Sequence, residues 1–200
     1  WFRWLYRRKQ GETIYNAVMP RKKKSALPVE KSCHRILYVG RLTAQKNVLL
    51  MLQALALKKD DSRWRLDIFG VGEQADMLES ESRRLGLADQ VNFNGYCGDI
   101  YLEMLNSDLL IFPSLYEGMP NVLIEALEAG LPVIASDIAS SRDLLGDTAC
   151  VQWFDPKSKY QLASSLIEFL DSPQAFRDKV KKGFKVCERF SIEKLASSYN

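Results

Sequence analysis

Histidine is almost missing from this chain: His34 is the only one in 200 residues. It stands just before an apolar run with no obvious partner, so it reads as a surface residue and not as a catalytic base. The four cysteines, Cys33, Cys97, Cys150 and Cys187, are far apart, and none forms a Cys-x-x-Cys pair. Neither a zinc site nor a disulfide framework is expected, which leaves reduced thiols in the cytoplasm. No apolar run reaches membrane-spanning length, and nothing repeats at solenoid periods. The first nine residues lack the apolar core and cleavage site of a signal peptide. There is no initiator Met, so the sequence is expected to be a piece of a longer chain. A net charge of +3 is too small to argue for a nucleic-acid partner.

What is present is an ordinary apolar share, 46%, enough to bury a core in one large domain or two small ones. Residues 1–9 are aromatic and basic. They are read as the end of a missing upstream domain, with a membrane-surface helix as the alternative. Residues 13–19 read as a short strand or connector, and the polar stretch up to Ser32 as a solvated linker.

From Arg35 onward, short apolar runs alternate with helical patterns. Strands are expected at 36–39, 65–69, 91–94, 109–112 and 132–135, with a sixth edge strand at 150–152. Helices are expected at 48–58, 73–85 (ended by Gly86), 100–105, from 121 to about 130, 140–145, 159–170, 173–189 and 192–199. This alternation implies right-handed crossovers and an α/β, Rossmann-like doubly wound parallel sheet of about six strands.

The loops that follow parallel strands gather on one edge of the sheet. The richest is the one after 109–112. There Gly118 and Pro120 break the chain between Glu117 in the loop and Glu125 near the start of the next helix. Between the two acids, the amides of Asn121, Val122 and Leu123 open a helix, where backbone donors and the helix dipole favour an anion. An anion site flanked by two carboxylates suits a ligand with phosphates in the middle and hydroxyl-rich groups at both ends, which is the shape of a nucleotide-sugar. After the first strand come Gly40, Arg41 and Lys46. Arg41 offers a planar fork for phosphate oxygens and Lys46 a point charge, and together they could hold a diphosphate without a metal. Taken alone, they could equally be two surface cations.

Other loops say less. Gly70-Val-Gly72 lacks the third glycine of a dinucleotide fingerprint and the lysine of a P-loop, so it marks a tight turn with close backbone approach. Tyr96 could stack on a base or simply cover the end of the sheet.

Residues 117–126, Glu-Gly-Met-Pro-Asn-Val-Leu-Ile-Glu-Ala, and 130–135, Gly-Leu-Pro-Val-Ile-Ala, resemble the Glu-x7-Glu region of retaining GT-B glycosyltransferases of family 4, the glycosyl transferases group 1 domain. Gly40-Arg-Leu-x3-Lys46-Asn47 is similar to that family's first donor loop. The resemblance covers about residues 35–190. It implies the C-terminal, donor-binding half of a GT-B fold, in which Arg41 and Lys46 grip the donor diphosphate. Glu125 would hold the ribose and Glu117 the transferred sugar. The backbone from Gly118 and Met119 to Leu123 would touch sugar and phosphate, the Gly95–Tyr96 turn would border the base, and Gly40 and Gly72 are also expected among the substrate-binding residues. No cofactor or metal is expected beyond the substrate, a UDP-sugar or another NDP-sugar.

By the same resemblance, residues 1–34 connect to a missing N-terminal acceptor domain and 191–200 form a helix returning to it. The fragment would then bind donor but transfer nothing alone. The full protein would be cytoplasmic, working at the inner face of the membrane as a peripheral protein on cell-surface polysaccharide. A non-catalytic scaffold of the same fold would not need Arg41, Lys46, Glu117 and Glu125 together. A sugar-nucleotide epimerase would need acid–base residues that the crevice edge lacks.

Overall fold

The computed structural model describes residues 31–146 and 149–187. Six strands make one sheet: β1 (His34–Val39), β2 (Trp64–Phe69), β3 (Val91–Gly95), β4 (Leu109–Phe112), β5 (Val133–Ser136) and β6 (Gln152–Phe154). Their order is β3-β2-β1-β4-β5-β6, with every neighbouring pair parallel. Between and after them lie α1 (Val48–Ala56), α2 (Ala75–Arg84), α3 (Ile100–Leu105), α4 (Asn121–Glu128), α5 (Ala139–Leu145), α6 (Lys159–Asp171) and α7 (Pro173–Cys187). The chain winds outward from β1 to β3, crosses back, and winds the other way from β4 to β6. Its direction therefore reverses between β1 and β4, which pair through Ile36 with Leu109 and Leu37 with Leu110. In open α/β sheets that reversal opens a crevice at the carboxyl ends of the strands.

Alternation along the strands divides the core into two layers. Ile36, Tyr38, Leu66, Ile68, Leu109, Ile111 and Ile134 face one side, against Leu52 and Leu55 of α1 and Leu162, Leu166 and Phe169 of α6. Their neighbours Leu37, Leu110, Phe112, Val133 and Ala135 face the other, against Met104 of α3, Leu123, Ile124 and Leu127 of α4, and Val180 of α7. Strands buried on both faces explain why the sequence shows short unbroken apolar runs. α1 is apolar at every position but Gln53 because it lies between the sheet and other helices.

Several boundaries and the placement of one residue differ from the sequence reading. β6 is Gln152–Phe154, two residues later than expected, paired with Ile134–Ser136. Cys150 and Val151, on which that strand was placed, are buried in the second core layer instead. Two apolar residues followed by a glutamine have no periodicity with which to fix a register. α1 stops at Ala56 because the next three amides bond carbonyls three residues back and tighten the chain. α2 starts at Ala75, since the residues before it are held to the loop after β1: Leu42 N–H donates to the Val71 carbonyl at 2.9 Å, and Gln74 N–H to the Leu42 carbonyl at 3.0 Å.

His34 is not a surface residue. It is the first residue of β1, is only 4% exposed, and meets the Phe169 ring edge-on with centroids 5.2 Å apart. The strand begins two residues earlier than expected, so alternation turns His34 inward beside Ile36. The readings for residues 1–30 and for a helix at 192–199 fall outside the described residues.

Candidate active site

Two loops meet where the sheet changes direction. The first leaves β1 at Gly40 and makes a short 3-10 turn, Ala44–Lys46, before Asn47 opens α1. The second leaves β4 at Pro113 and runs to Pro120, ahead of α4. Backbone and side chain fasten them together. Leu115 N–H donates to the Gln45 carbonyl at 2.9 Å, and Gln45 Nε2 donates to the Tyr116 carbonyl at 2.8 Å. Ser136, on β5, donates its hydroxyl to the Ser114 carbonyl at 2.6 Å from a buried position.

Charge is concentrated at this junction. Lys46 Nζ forms an ion pair with Glu117 Oε1, and the Ser114 hydroxyl donates to the same oxygen at 2.7 Å. Both side chains are mostly covered, 17% exposed for Lys46 and 11% for Glu117. Arg41, by contrast, is exposed and has no side-chain hydrogen bond or ion pair among the described residues. Its backbone is held from below, where the buried Tyr38 hydroxyl donates to the Arg41 carbonyl at 3.0 Å. Burial pushes the Tyr38 phenol well above its ordinary pKa, with the Glu117 charge adding to the effect, so it stays a neutral donor.

Glu125 sits one turn into α4 and is half-buried. The α4 amides are less open than the sequence suggested. Asn121 N–H donates to the Met119 carbonyl and Leu123 N–H to the Pro120 carbonyl, each at 3.0 Å. The reason is the Met-Pro turn, whose carbonyls fold back onto the first helical residues. The Leu123 side chain is fully buried in the core, Val122 and Met119 pack partly against it, and Gly118 is exposed with open space around it.

The remaining predicted residues line the same sheet edge. Tyr96 follows β3 and is 83% exposed, so it does not cover the sheet by packing. Gly72 touches the neighbouring loop: a Cβ there would come within 2.3 Å of the Leu42 carbonyl oxygen. A Cβ on Gly40 would come within 2.9 Å of the Tyr38 phenol oxygen. Farther along the edge, Asp137, Trp153, Asp155, Pro156 and Gln161 line a shallow cleft of about 270 Å³. No group of three or more His, Cys, Asp or Glu side chains comes together among the described residues in a way that could hold a metal.

Set beside known proteins, residues 21–186 match the glycosyl transferases group 1 family. The chain belongs to that family. It is 30% identical over 197 residues to the N-acetylgalactosamine-N,N'-diacetylbacillosaminyl-diphospho-undecaprenol 4-alpha-N-acetylgalactosaminyltransferase of Campylobacter jejuni, covering 96% of this chain and 53% of the relative. Among solved structures, the apo form of the lipopolysaccharide outer core galactosyltransferase WaaB superposes with a TM-score of 0.79 at 25% identity, covering 94% of this chain and 54% of that one. Anabaena HepE in complex with UDP has the same fold, with a TM-score of 0.77 at 21% identity over 84% of this chain and 48% of that one. The chain thus spans about half the length of the curated relatives it matches.

As a group 1 domain, the chain has its charged pair where the doubly wound sheet reverses, and four polar residues there were not singled out from sequence. Tyr38, Gln45 and Asn47 hold the two loops through backbone carbonyls. The buried Thr43 hydroxyl and the Asn121 side-chain oxygen on the facing helix have no hydrogen-bond partner among the described residues. Only Asn47 gave a sequence signal, through its place in the Gly40–Asn47 motif.

Proposed function

We propose that this chain is the donor-binding, C-terminal half of a retaining family 4 glycosyltransferase. The full protein moves a hexosyl or N-acetylhexosaminyl group from a nucleotide-diphosphate-sugar, UDP-linked, to a glycan or lipid-linked acceptor in cell-surface polysaccharide synthesis. An acceptor domain completes the active site, so the 200 residues alone bind donor without transferring it. The full protein works at the inner face of the cytoplasmic membrane. One observation carries the reading: the Lys46–Glu117 pair, seated on Ser114, joins the loops after β1 and β4 where the sheet reverses, and the other cation of the Lys46 loop, Arg41, is exposed with no side-chain partner among the described residues.

Breaking the bond between sugar and diphosphate leaves positive charge on the sugar ring and negative charge on the departing phosphate. Arg41 and Lys46, carried on a tied loop, stabilise that negative charge once the donor is bound. Glu117 accepts hydrogen bonds from sugar hydroxyls and Glu125 from the ribose. In the free chain Lys46 rests on Glu117, and the diphosphate takes that partner's place as the donor settles. The family relationship of the Campylobacter enzyme, whose name describes transfer to a lipid-linked saccharide, supports the choice of acceptor class. Calorimetric titration with UDP, GDP and ADP tests the proposal. It expects one of them to bind in the micromolar to millimolar range usual for enzyme substrates, and a folded chain that binds none would defeat it.

A further inference from the structure

Asn47 is the one non-glycine residue with positive φ among the described residues, at φ 56° and ψ 32°. Asparagine tolerates this left-handed conformation better than most residues. It occupies the N-cap of α1, where an asparagine normally accepts a hydrogen bond from an amide in the first turn. Here no such cap bond forms. Both hydrogens of its side-chain amide point elsewhere, Nδ2 donating to the Pro113 carbonyl at 3.2 Å and to the Pro156 carbonyl at 2.9 Å. Pro113 follows β4 and Pro156 follows β6, so one side chain joins the loops after three strands.

We propose that Asn47 is the positioning residue that aims Lys46 at the donor diphosphate, by clamping the loop after β1 to the loops after β4 and β6. This rests on the donor-site reading given above. Lys46 is a flexible side chain, and its direction is set by the backbone that carries it. That backbone is fastened on both sides, by Gln45 to Leu115 and Tyr116, and by Asn47 to Pro113 and Pro156. Gln45 reaches only the β4 loop. Asn47 adds the third loop, and its left-handed turn sends the chain from the 3-10 segment into α1 directly after Lys46.

A double-mutant cycle tests this, read by calorimetry with whichever of UDP, GDP and ADP binds the native 200-residue chain. Asn47→Gly keeps the left-handed backbone and deletes the bridge. Asn47→Asp keeps the shape but sets a carboxylate against two carbonyl oxygens. Each should weaken nucleotide binding about ten-fold, as expected for losing two hydrogen bonds that hold the loop, and Lys46→Met should weaken it at least as much. Because Asn47 acts through Lys46, the Asn47→Gly/Lys46→Met double variant should bind within about two-fold of Lys46→Met alone. Hydrogen exchange at the Leu115 amide should also quicken in Asn47→Gly, since its acceptor Gln45 lies in the released loop. Native-like affinity in Asn47→Gly, or losses that simply multiply in the double variant, would overturn the positioning role and leave the donor reading standing. Native-like affinity in Lys46→Met, or no nucleotide bound by the native chain, would instead remove the donor reading and the Asn47 role with it.

Discussion

Arg41 and Lys46 are cations of one loop, yet the fold treats them differently. Lys46 is covered and paired with Glu117, whereas Arg41 is exposed and has no side-chain ion pair among the described residues. Arg41→Ala should therefore leave melting almost unchanged but weaken diphosphate binding by roughly 1.5–3 kcal/mol, the range for charged hydrogen bonds. Unchanged affinity in calorimetry would exclude Arg41 from the site. Glu117→Gln should act in the opposite sense on the bare nucleotide. It removes the anion that competes with phosphate for Lys46, so UDP should bind tighter by roughly 0.5–1 kcal/mol. A UDP-sugar should lose its advantage over UDP, because the carboxylate that accepts from sugar hydroxyls is gone. If UDP-sugar affinity rises in parallel with UDP, Glu117 does not touch the sugar. That Arg41, Lys46, Glu117 and Glu125 lie in or beside the loops at the strand ends was legible, because the alternation of strands and helices fixes which loops gather there. What Tyr38, Gln45 and Asn47 do was not, although Asn47 stands in the Gly40–Asn47 motif. Their roles lie in bonds to carbonyls of loops remote in sequence, and a carbonyl is carried by every residue alike.

At the scale of elements, the loops leaving β1 and β2 are fitted to one another by glycine. A Cβ on Gly72 would fall 2.3 Å from the Leu42 oxygen and 2.7 Å from its nitrogen, and one on Gly70 would fall 1.8 Å from the Gly40 oxygen. The obstructing atoms are backbone and cannot swing aside. Gly72→Ala should thus destabilise the fold by about 1–3 kcal/mol, lowering the thermal midpoint, and should weaken nucleotide binding because Leu42 lies between Arg41 and Lys46. A variant with native melting would mean the two loops separate at no cost. The doubly wound sheet itself was legible, since runs such as Leu109–Phe112 are short, apolar and bounded by turn residues. What the pattern could not give was how loops seat on one another. The late start of α2 follows from the Gln74–Leu42 hydrogen bond, and the register of β6 from pairing with β5, neither of which is a local property.

For the molecule as a whole, the opposite edge of the sheet carries a second charged cluster, built for holding the domain together. The Asp108 carboxylate is 1% exposed and accepts from Lys31 Nζ at 2.9 and 3.0 Å and from the Arg35 amide at 3.0 Å. Arg177 of α7 lies 3.8 Å from it and His34 Nδ1 3.9 Å. This ties the chain ahead of β1, the start of β4 and the last described helix to one side chain. Burial lowers the pKa of His34, opposed by Asp108 but reinforced by Lys31, Arg177 and Arg63, and its Nδ1 has no hydrogen-bond partner among the described residues. The folded chain therefore favours neutral His34, while the unfolded chain protonates it near pH 6.5. Below that pH the unfolded state binds more protons, so stability is complete above about 6.5 and falls as the pH drops through the lower folded value. With no other histidine in the sequence, the fall that sets in below about pH 6.5 belongs to His34 alone among side chains of ordinary pKa. His34→Phe keeps a ring against Phe169 and carries no titrating group. Denaturant unfolding at a series of pH values should show the slope in the native chain and a flat line in the variant. Equal slopes in both would mean that His34 already takes its proton in the fold as readily as in water.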